Sequence, residues 1–469
     1  MERRMTMKKN SKVGDVRIAD SYDIVIVGAS SSGAYFARKM AEQGYSVLAI
    51  EKNSAEKLST GYDIFHIAEA DMKAHGLPMP QKGDGIWSFE FEDMAHFSPY
   101  NHYEKPYQVK TIGLHKHPYM LMLCDWAKEA GATILFEAPF ESAIVKGKAV
   151  KGVSFRYGGK QYSVKAKLVV DASGQPAVVR TSLPKKVGME TFKLSNKDVF
   201  FVRLRYIQFE ERKRWMQNWV WIAYKMWLAP SNSEYDAILG IGSCLSFDQG
   251  EPYYEAFCKN VAPQLPPYEV CKVEDMPTPY KRSLYSYVGN GFLAVGGAGI
   301  VNRADNGEGV TEAMNHIDLA AERVGALLKK GKPLTRKNLW RINKKYNSGQ
   351  GRDFAMLYAV MQKALMLSPD TMEYMFEKDC ILSQSILADL GETLTPADLV
   401  RQLAGLVKGL RSGAIPKDEF GPVGAGVLKA GAAIVLYTLY PPTPRGYQLW
   451  CRLADKLWTS VGQMADLYE

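Results

Sequence analysis

The start of the chain alternates between short apolar runs and one helical pattern. Residues 22–28 read Tyr-Asp-Ile-Val-Ile-Val-Gly and residues 47–51 read Val-Leu-Ala-Ile-Glu. Residues 32–43, between these runs, repeat small apolar side chains at helical spacing. Short β-branched runs that end at a turn residue are typical of buried parallel strands. The pattern therefore predicts a β-loop-α-β unit.

Later segments change their period in a definite order. Residues 118–131 are an amphipathic helical pattern, and residues 152–164 alternate around a Gly-Gly pair, which predicts a hairpin. Residues 168–171 and 292–295 again read as short buried strands. Residues 195–285 read as an antiparallel sheet with long aromatic strands, and helical patterns dominate the chain that follows.

Composition narrows the class of protein. The 469 residues are 46% hydrophobic and 23% charged, which is ordinary for globular proteins and excludes a disordered, collagen-like or coiled-coil chain. The net charge of +9 comes from dispersed residues and does not indicate a nucleic-acid partner. The six cysteines form no CxxC pair, so we expect no metal site and a reducing, cytoplasmic location. We expect no signal peptide, since no apolar run follows the basic N-terminus.

A glycine fingerprint follows the first strand. Residues 28–33 read Gly-Ala-Ser-Ser-Ser-Gly, and Glu51 ends the second strand. In a Rossmann unit such glycines allow a tight turn and close helix packing, and the helix N-terminus faces a pyrophosphate. Glu51 occupies the place of the acid that accepts the ribose hydroxyls. Ser30 replaces the second glycine, so its β-carbon crowds the pyrophosphate while its hydroxyl can donate to it. A tight turn without a ligand is the alternative.

Two further motifs occur downstream. Residues 169–174 read Val-Val-Asp-Ala-Ser-Gly, and residues 294–309 contain Gly296-Gly297 and Gly307-Glu308-Gly309. The three motifs, in this order and at this spacing, resemble those of FAD-dependent oxidoreductases of the para-hydroxybenzoate hydroxylase fold group. Within that group the chain most resembles the geranylgeranyl reductase family, over about residues 20–330.

The resemblance implies a set of cofactor contacts. The end of the Asp171 strand is expected beside the adenine and pyrophosphate, and the helix after Gly307 is expected to direct its N-terminus at the flavin, where a reduced flavin carries negative charge. The implied FAD-binding residues are Gly28, Ala29, Ser30, Ser32, Gly33, Glu51, Lys52, Lys116, Asp171, Gly174, Gly296, Gly297, Gly307, Glu308 and Gly309.

The chain departs from the family pattern at several positions. Gly297 stands where an aspartate usually contacts the ribityl chain, and Lys116 stands where an arginine is common. Residues 58–63 lack the family's cysteine. The substrate element Trp-x-Phe-Pro becomes Trp227-Leu-Ala-Pro230.

Reduction of a carbon–carbon double bond needs a proton donor besides the hydride that a flavin supplies. The candidates are Asp305, which lies in the loop expected to pass near the flavin ring, and His66, Tyr62 and Tyr224. None of them is assigned over a packing role.

An aromatic stretch predicts one wall of the substrate pocket. Taken as a single strand, residues 215–227 place Trp219 and Trp221 on one face, and Trp227 on the same face unless a bulge intervenes. Pro230 ends this strand. A wall of Trp and Met suits an apolar or isoprenoid substrate, and plain core packing is the alternative.

The C-terminal part contains an apolar, glycine-rich stretch at 421–442. It reads as a buried or interfacial helix rather than a membrane span. Trp450 and Trp458 lie among Arg445, Arg452 and Lys456, which fits either a packed helical cap, the preferred interpretation, or a headgroup-facing surface.

These observations predict an α/β protein with a discontinuous Rossmann-type FAD-binding domain, an inserted antiparallel-sheet substrate domain and a helical C-terminal region. The expected division is 20–95, 141–190 and 286–330 for the FAD-binding domain, 96–140 for a connecting helical segment, 191–285 for the substrate domain and 331–469 for the helical region.

The expected function is an FAD-dependent ene-reductase that acts on an apolar small molecule or lipid. NAD(P)H and a reduced protein carrier are both open as electron donors. The alternatives are a flavin-dependent monooxygenase of the same fold and a flavoprotein that passes electrons to a quinone or partner. Membrane contact is expected to be peripheral at most.

Overall fold

The computed structural model describes residues 17–62, 64–243, 246–304, 307–364, 366–380 and 396–462. Its strands are β1 (Ser21–Val27), β2 (Val47–Ile50), β3 (His66–Ala68), β4 (Trp87–Phe97), β5 (Glu104–Leu114), β6 (Thr133–Leu135), β7 (Phe140–Lys146), β8 (Ala149–Tyr157), β9 (Lys160–Asp171), β10 (Val199–Phe209), β11 (Asn218–Trp221), β12 (Met226–Pro230), β13 (Ala237–Ser243), β14 (Tyr268–Pro279), β15 (Val288–Gly289) and β16 (Phe292–Ala294).

The helices of these ranges are α1 (Ser31–Ala41), α2 (Glu69–Ala74), α3 (Lys116–Glu129), α4 (Glu251–Asn260), α5 (Val310–Lys329), α6 (Arg336–Asn347), α7 (Gln350–Ala364), α8 (Pro369–Glu377), α9 (Pro396–Ser412), α10 (Lys417–Thr438) and α11 (Tyr447–Val461). Together with the strands they confirm the predicted α/β class and the helical C-terminal region.

The first sheet carries the three glycine motifs. Its strand order is β15-β16-β9-β1-β2-β6, and the run from β16 to β6 is parallel. In the register, Val27 lies between Ile50 and Asp171. The carboxyl ends of strands that come from distant parts of the sequence therefore meet at one edge. The alternation around the Gly-Gly turn predicted the hairpin that β8 and β9 form, and β7 extends it by pairing with β8.

The second sheet has the order β14-β10-β13-β12-β11-β4-β5-β3. It confirms the antiparallel sheet predicted within 195–285, but three of its strands come from the N-terminal third of the chain. The segment 96–140, expected to be a helical connection, contains β5 as well as α3. A strand signal was present in part, since residues 87–92 of β4 read Trp-Ser-Phe-Glu-Phe-Glu and alternate between apolar and polar, but the sequence analysis did not assign it.

The sheet has two distinct faces. On one face, Trp221 and Phe257 of α4 belong to a compact apolar cluster. On the other face, Trp227 packs with Leu204 and Tyr206. Phe200 contacts this second cluster and also the main core that surrounds the first sheet. The face that carries Trp227 is thus the one turned toward the fingerprint-bearing sheet.

The C-terminal helices form a layer against the first sheet's core. Helix α10 packs along α7, and α11 packs beside α10. The indole nitrogen of Trp450 donates to the carbonyl of Leu436 at 2.9 Å. Trp450 and Trp458 are both buried, in contact with Tyr437. The two tryptophans therefore belong to a packed cap and do not face a headgroup surface.

Candidate cofactor and substrate site

The turn between β1 and α1 requires glycine at two positions. Gly28 has a φ of +101°, and a β-carbon on it would lie 2.3 Å from the carbonyl oxygen of Ala172. A β-carbon on Gly33 would lie 1.9 Å from the carbonyl oxygen of Gly28. Backbone atoms cannot yield as a flexible side chain can, so the fingerprint glycines bring the helix, the first strand and the Asp171 turn into direct contact.

Glu51 is fixed at the end of β2, next to this turn. Its side chain is buried; one carboxylate oxygen accepts from the backbone N–H of Ala29 at 3.1 Å and the other from that of Asn53 at 2.9 Å. Glu51 thus lies beside the turn, at the position that the sequence predicted, and both of its carboxylate oxygens accept hydrogen bonds from backbone amides.

Ser30, at the position of the second glycine, is the N-cap residue of α1, but its side chain does not cap the helix. Its hydroxyl instead pairs with that of Ser59 at 2.9 Å. The amides of the first turn of a helix have no intrahelical partner. Because the Ser30 side chain does not accept from these amides, they remain available to bind an anionic ligand.

The loop that meets Ser30 is held in an unusual conformation. Ser59 and Tyr62 both have a positive φ, of 54° and 58°, which costs non-glycine residues conformational energy. Helix α3 holds the loop through Lys116. The ammonium group of Lys116 donates a hydrogen bond to the carbonyl of Gly61 and lies 5.5 Å from the centre of the Tyr62 ring. Lys116, expected near cofactor phosphates, is therefore engaged with the loop.

These elements line a cavity of about 380 Å³ that is open to solvent. Residues of the α1 N-terminus, the 59–62 loop and the start of α5 line it: Ser30, Ser31, Ser59, Gly61, Tyr62, Phe65, Lys116, Met120 and Val310. Helix α5 begins after Gly309 without a side-chain cap. The N-termini of α1 and α5 therefore meet at one cavity, and both favour negative charge there.

Asp171 organises the second motif from within. Its buried carboxylate accepts from the amide and hydroxyl of Ser173, at 3.1 Å and 2.6 Å, and from the amide of Arg180 at 2.7 Å. Burial raises the pKa of Asp171 above its usual range. The Asp171 carboxylate thus stabilises the turn that follows β9, and its hydrogen bonds are made to residues of that turn.

Arg180 links the second motif to the third, a role the sequence analysis did not assign. Its buried side chain donates to the carbonyl of Ala298 at 2.9 Å and to those of Glu190 and Phe192 at 2.9 Å. The signal available in the sequence was an arginine nine residues after the motif aspartate.

The third motif packs directly on the first. Gly296–Gly299 form a short 3-10 turn, and a β-carbon on Gly296 would lie 2.3 Å from the hydroxyl oxygen of Ser32. One on Gly297 would lie 3.2 Å from backbone atoms of Gly174. Gly307 has a φ of +78° and leads into α5. Asp305, one of the candidate proton donors, lies outside the described residues. Lys52 and Glu308 are solvent-exposed.

The residues at this edge fit an extended dinucleotide. Two helix N-termini without side-chain caps suit its anionic groups, and the glycines leave room for close approach of the backbone. Glu51 stands at the position from which the acid of a Rossmann unit contacts the ribose. The fit rests on the strand edge and on backbone groups more than on charged side chains.

Two of the candidate proton donors are packed away from the cavity. His66 lies edge-on to Phe89 and Phe91, and burial lowers its pKa to about 4. Tyr224 is buried in the α4 cluster and donates to the carbonyl of Pro99 at 3.0 Å. Neither is among the residues that line the cavity, whereas Tyr62 is.

The shared face predicted for the three tryptophans is wrong. The stretch is not one strand, because a 3-10 turn and Lys225, with a φ of 54°, reverse the chain between β11 and β12. In the resulting hairpin Trp227 pairs with Val220, and Leu228 with Trp219. Paired residues share a face, so Trp227 lies opposite Trp219 and Trp221. Pro230 ends β12, as predicted.

Comparison with known proteins agrees with this geometry. Residues 23–239 match the model of the family described as FAD dependent oxidoreductase. The digeranylgeranylglycerophospholipid reductase of Sulfolobus acidocaldarius is 22% identical, over 94% of this chain and 98% of its own length. That of Methanocella arvoryzae is 24% identical, over 81% of this chain and 95% of its own.

Solved structures share the fold. A geranylgeranyl bacteriochlorophyll reductase-like protein from Thermoplasma acidophilum superposes with a TM-score of 0.67 at 18% identity, covering 84% of this chain and 99% of its own. A flavin-dependent brominase gives a TM-score of 0.59 at 18% identity over 84% of this chain and all of its own. The solved structures confirm the expected fold, and the comparisons together confirm the expected resemblance to FAD-dependent oxidoreductases.

Proposed function

We propose that this FAD-dependent oxidoreductase is a reductase that saturates carbon–carbon double bonds of an apolar, isoprenoid substrate. The observation that carries the proposal is the likeness, along nearly the whole chain, to proteins named digeranylgeranylglycerophospholipid reductases. The brominase shares the fold, but at 18% identity it carries no argument about chemistry.

The surface around Trp227 supports an apolar substrate. Trp227 is half-buried and packs with Val202, Leu204 and Met276 on the face turned toward the first sheet. On the same face, a β-carbon added to Gly242 would meet no atom of the described residues within 4 Å. We assign this apolar wall and the adjoining space to the substrate, with Trp227 retained from the expected pocket. Trp219 and Trp221 are removed from it, and so is Pro230, because its partner Ala237 belongs to the cluster on the opposite face.

The cofactor proposal places FAD along the edge shared by the three motifs. Bound FAD would supply the hydride for the reduction. The amides that follow Ser30 would bind its pyrophosphate, and Glu51 would orient its ribose. The N-terminus of α5, next to Val310, would stabilise negative charge on the ring system.

Tyr62 is the candidate proton donor best placed among the described residues. Its hydroxyl donates to the carbonyl of Asp275 at 3.3 Å, and its ring lines the cavity between the two helix N-termini. Lys116 and the strained loop hold this ring in place. Tyr62 would protonate one alkene carbon from its hydroxyl oxygen while the other carbon receives the hydride.

Purified protein with bound flavin provides the test. Its flavin should be reduced chemically without oxygen and mixed with a digeranylgeranylglycerophospholipid. We expect rapid flavin reoxidation together with a product two mass units heavier per double bond. The saturated lipid is the control and should leave the flavin reduced.

Two other outcomes would reject the proposal. Hydroxylated product formed only with oxygen would identify a monooxygenase. Fast reoxidation by a quinone with no reaction of the alkene would identify an electron carrier. Comparison of NADPH, NADH and a reduced ferredoxin as reductants would identify the electron donor class.

The remaining expectations belong to the same proposal. We retain a cytoplasmic location and no nucleic-acid partner. The weak, dispersed positive charge supports the second of these. We also retain an FAD-binding domain of three chain segments, with the correction that β3 and β4, expected within its first segment, belong together with β5 to the sheet of the substrate domain.

A further inference from the structure

The C-terminal helices present an apolar surface that the described part of the chain leaves uncovered. On α10, Leu428, Val435 and Leu439 are 70%, 59% and 70% exposed. On α11, Leu449 and Leu453 are 56% and 48% exposed. Single exposed leucines are common on soluble proteins, but a group of them on neighbouring helices marks a contact surface. We call these five residues the leucine surface.

The spacing places the exposed side chains on one side of each helix. Positions 428, 435 and 439 follow a helical repeat, and Ala432 between them is also exposed. Leu449 and Leu453 are one turn apart. The two helices are fastened side by side, since Trp450 donates to the carbonyl of Leu436 and Lys429 donates to that of Ser460.

Basic residues accompany the leucine surface. Residues 421–462 contain Lys429, Arg445, Arg452 and Lys456 but a single acid, Asp455. Arg452 and Lys456 are exposed beside Leu449 and Leu453 on α11. Asp455 is exposed as well, and one of its carboxylate oxygens accepts from the hydroxyl of Tyr285 at 2.7 Å, so four cations accompany one acid. The surface is therefore apolar with a cationic border.

The same region does not cross a bilayer in this fold. Lys417–Thr438 is long and apolar enough to do so, with a mean hydropathy of 1.5, but 33% of its most apolar window is buried. Val427, Ala430 and Tyr437 belong to its buried side, and α10 packs along α7. A spanning orientation would expose this packed side to lipid and break its contacts.

We propose that the leucine surface docks the enzyme onto the interface of a membrane rich in anionic lipids, with α10 and α11 lying in the plane of the headgroups. A helix with leucines on one side and cations beside them binds an anionic membrane interface in two ways, through burial of apolar area and through attraction of the cations to the lipid headgroups. A second copy of the chain is a poorer occupant, because a two-fold contact would bring the cations of α11 close to their own equivalents. The inference does not depend on the substrate.

Flotation with lipid vesicles tests the docking surface. Flavin-loaded protein is mixed with phosphatidylcholine vesicles or with vesicles that also contain phosphatidylglycerol. We expect the wild type to float with the anionic vesicles, and this binding to weaken in 1 M salt, where the Debye length is about 3 Å. The variant Arg452→Gln/Lys456→Gln should lower the bound-to-free ratio about 30-fold, the loss expected for two cations near an anionic surface.

A second variant, Leu428→Gln/Leu439→Gln, tests the apolar term and should reduce flotation with both kinds of vesicle. Val273→Gln is the matched control, because Val273 is 50% exposed on a strand of the other sheet. It should float like the wild type. Flavin content and the thermal midpoint show that each variant is folded.

Other results would overturn the inference. It fails if the wild type does not float with anionic vesicles, or if both surface variants float as the wild type does. A wild-type dimer that the leucine variant converts to a monomer, without vesicle binding, would assign the surface to self-association.

Discussion

The indole of Trp227 covers Gly240 of the neighbouring strand so closely that a β-carbon on Gly240 would lie 2.1 Å from the ring. The two residues are direct partners in the β12–β13 register. The missing side chain lets the large ring lie against the sheet. The ring's exposed remainder then forms part of the wall that faces the proposed substrate.

Removal of this ring should impair substrate use while leaving the cofactor in place. For Trp227→Ala we expect kcat/KM to fall about 30-fold, since loss of a large apolar contact is worth about 2 kcal/mol. Steady-state kinetics and the flavin-to-protein absorbance ratio should be measured on the same sample. Trp219→Ala is the matched control. Trp219 lies on the opposite face, 4.9 Å from the ring of Phe97, so this variant should lose stability but keep its kcat/KM. Normal turnover in Trp227→Ala would move the pocket elsewhere.

A methyl group at the fingerprint should disturb cofactor binding. Gly33→Ala places a β-carbon against the carbonyl of Gly28, and overpacking of this kind costs about 1–3 kcal/mol. We expect protein that is purified with much less FAD, measured by absorbance after denaturation. Gly431→Ala adds the same group on α10, where no atom of the described residues lies within 4 Å, and this variant should be as stable as the wild type or more so. Full flavin content in folded Gly33→Ala would contradict the assignment.

Restoring the family's aspartate should weaken FAD binding. Comparison with the family suggests that Gly297→Asp could supply a missing ribityl contact, but the structure leaves little room, because the β-carbon would lie 3.2 Å from backbone atoms of Gly174 and Gln175. We expect a higher Kd for FAD, read from flavin fluorescence. Gly297→Ala separates the two effects, since it adds the β-carbon without the carboxylate. Tighter binding by Gly297→Asp than by the wild type would show that the turn can open.

Acid should destabilise the protein through its buried histidines. His316 is fully buried, neither ring nitrogen has a hydrogen-bond partner among the described residues, and burial lowers its pKa to about 3. As the pH falls below about 6.5, His316 therefore binds a proton in the unfolded chain but stays neutral in the folded protein. Stability is complete above that pH and decreases as the pH falls toward 3.

Urea unfolding at pH 7.5 and pH 5 measures this term. The free energy of unfolding should decrease by about 2 kcal/mol for His316 over that interval. His316→Phe should reduce the decrease and cost little at pH 7.5, because its ring can keep the contacts with Tyr287 and Tyr346. An unchanged pH dependence would show that His316 is not the group responsible. His66 should leave a residual dependence in the variant.

The parts of the fold that local pattern determines could be predicted from the sequence. Strand β1, the fingerprint turn and Glu51 follow from short-range periodicity and spacing, and the structure places them together. The hairpin at Lys225 could not be predicted in this way, since a lysine in a left-handed conformation gives no local signal. Its consequence was large, because one reversal moves Trp227 to the other face.

Interactions between distant segments were the other limit. The pairing of Ser30 with Ser59 depends on a loop that follows the second strand, and the role of Arg180 depends on a carbonyl more than a hundred residues away. Polar contacts between distant segments produce no periodic pattern in the sequence. The motifs therefore predicted the residues of the candidate site, whereas the hydrogen bonds that hold them in place were found only in the structure.

The parallel sheet joins β9, which ends at Asp171, to β16, which ends at Ala294. A ribosome that adds 5–20 residues per second needs roughly 6 to 25 s to make the intervening chain. During this time β9 lacks the neighbour on its outer side, and its apolar side chains are open to chaperones or to aggregation. Cofactor loading must await the late strand, so yield in a heterologous host should respond to slower translation and to flavin supply during synthesis.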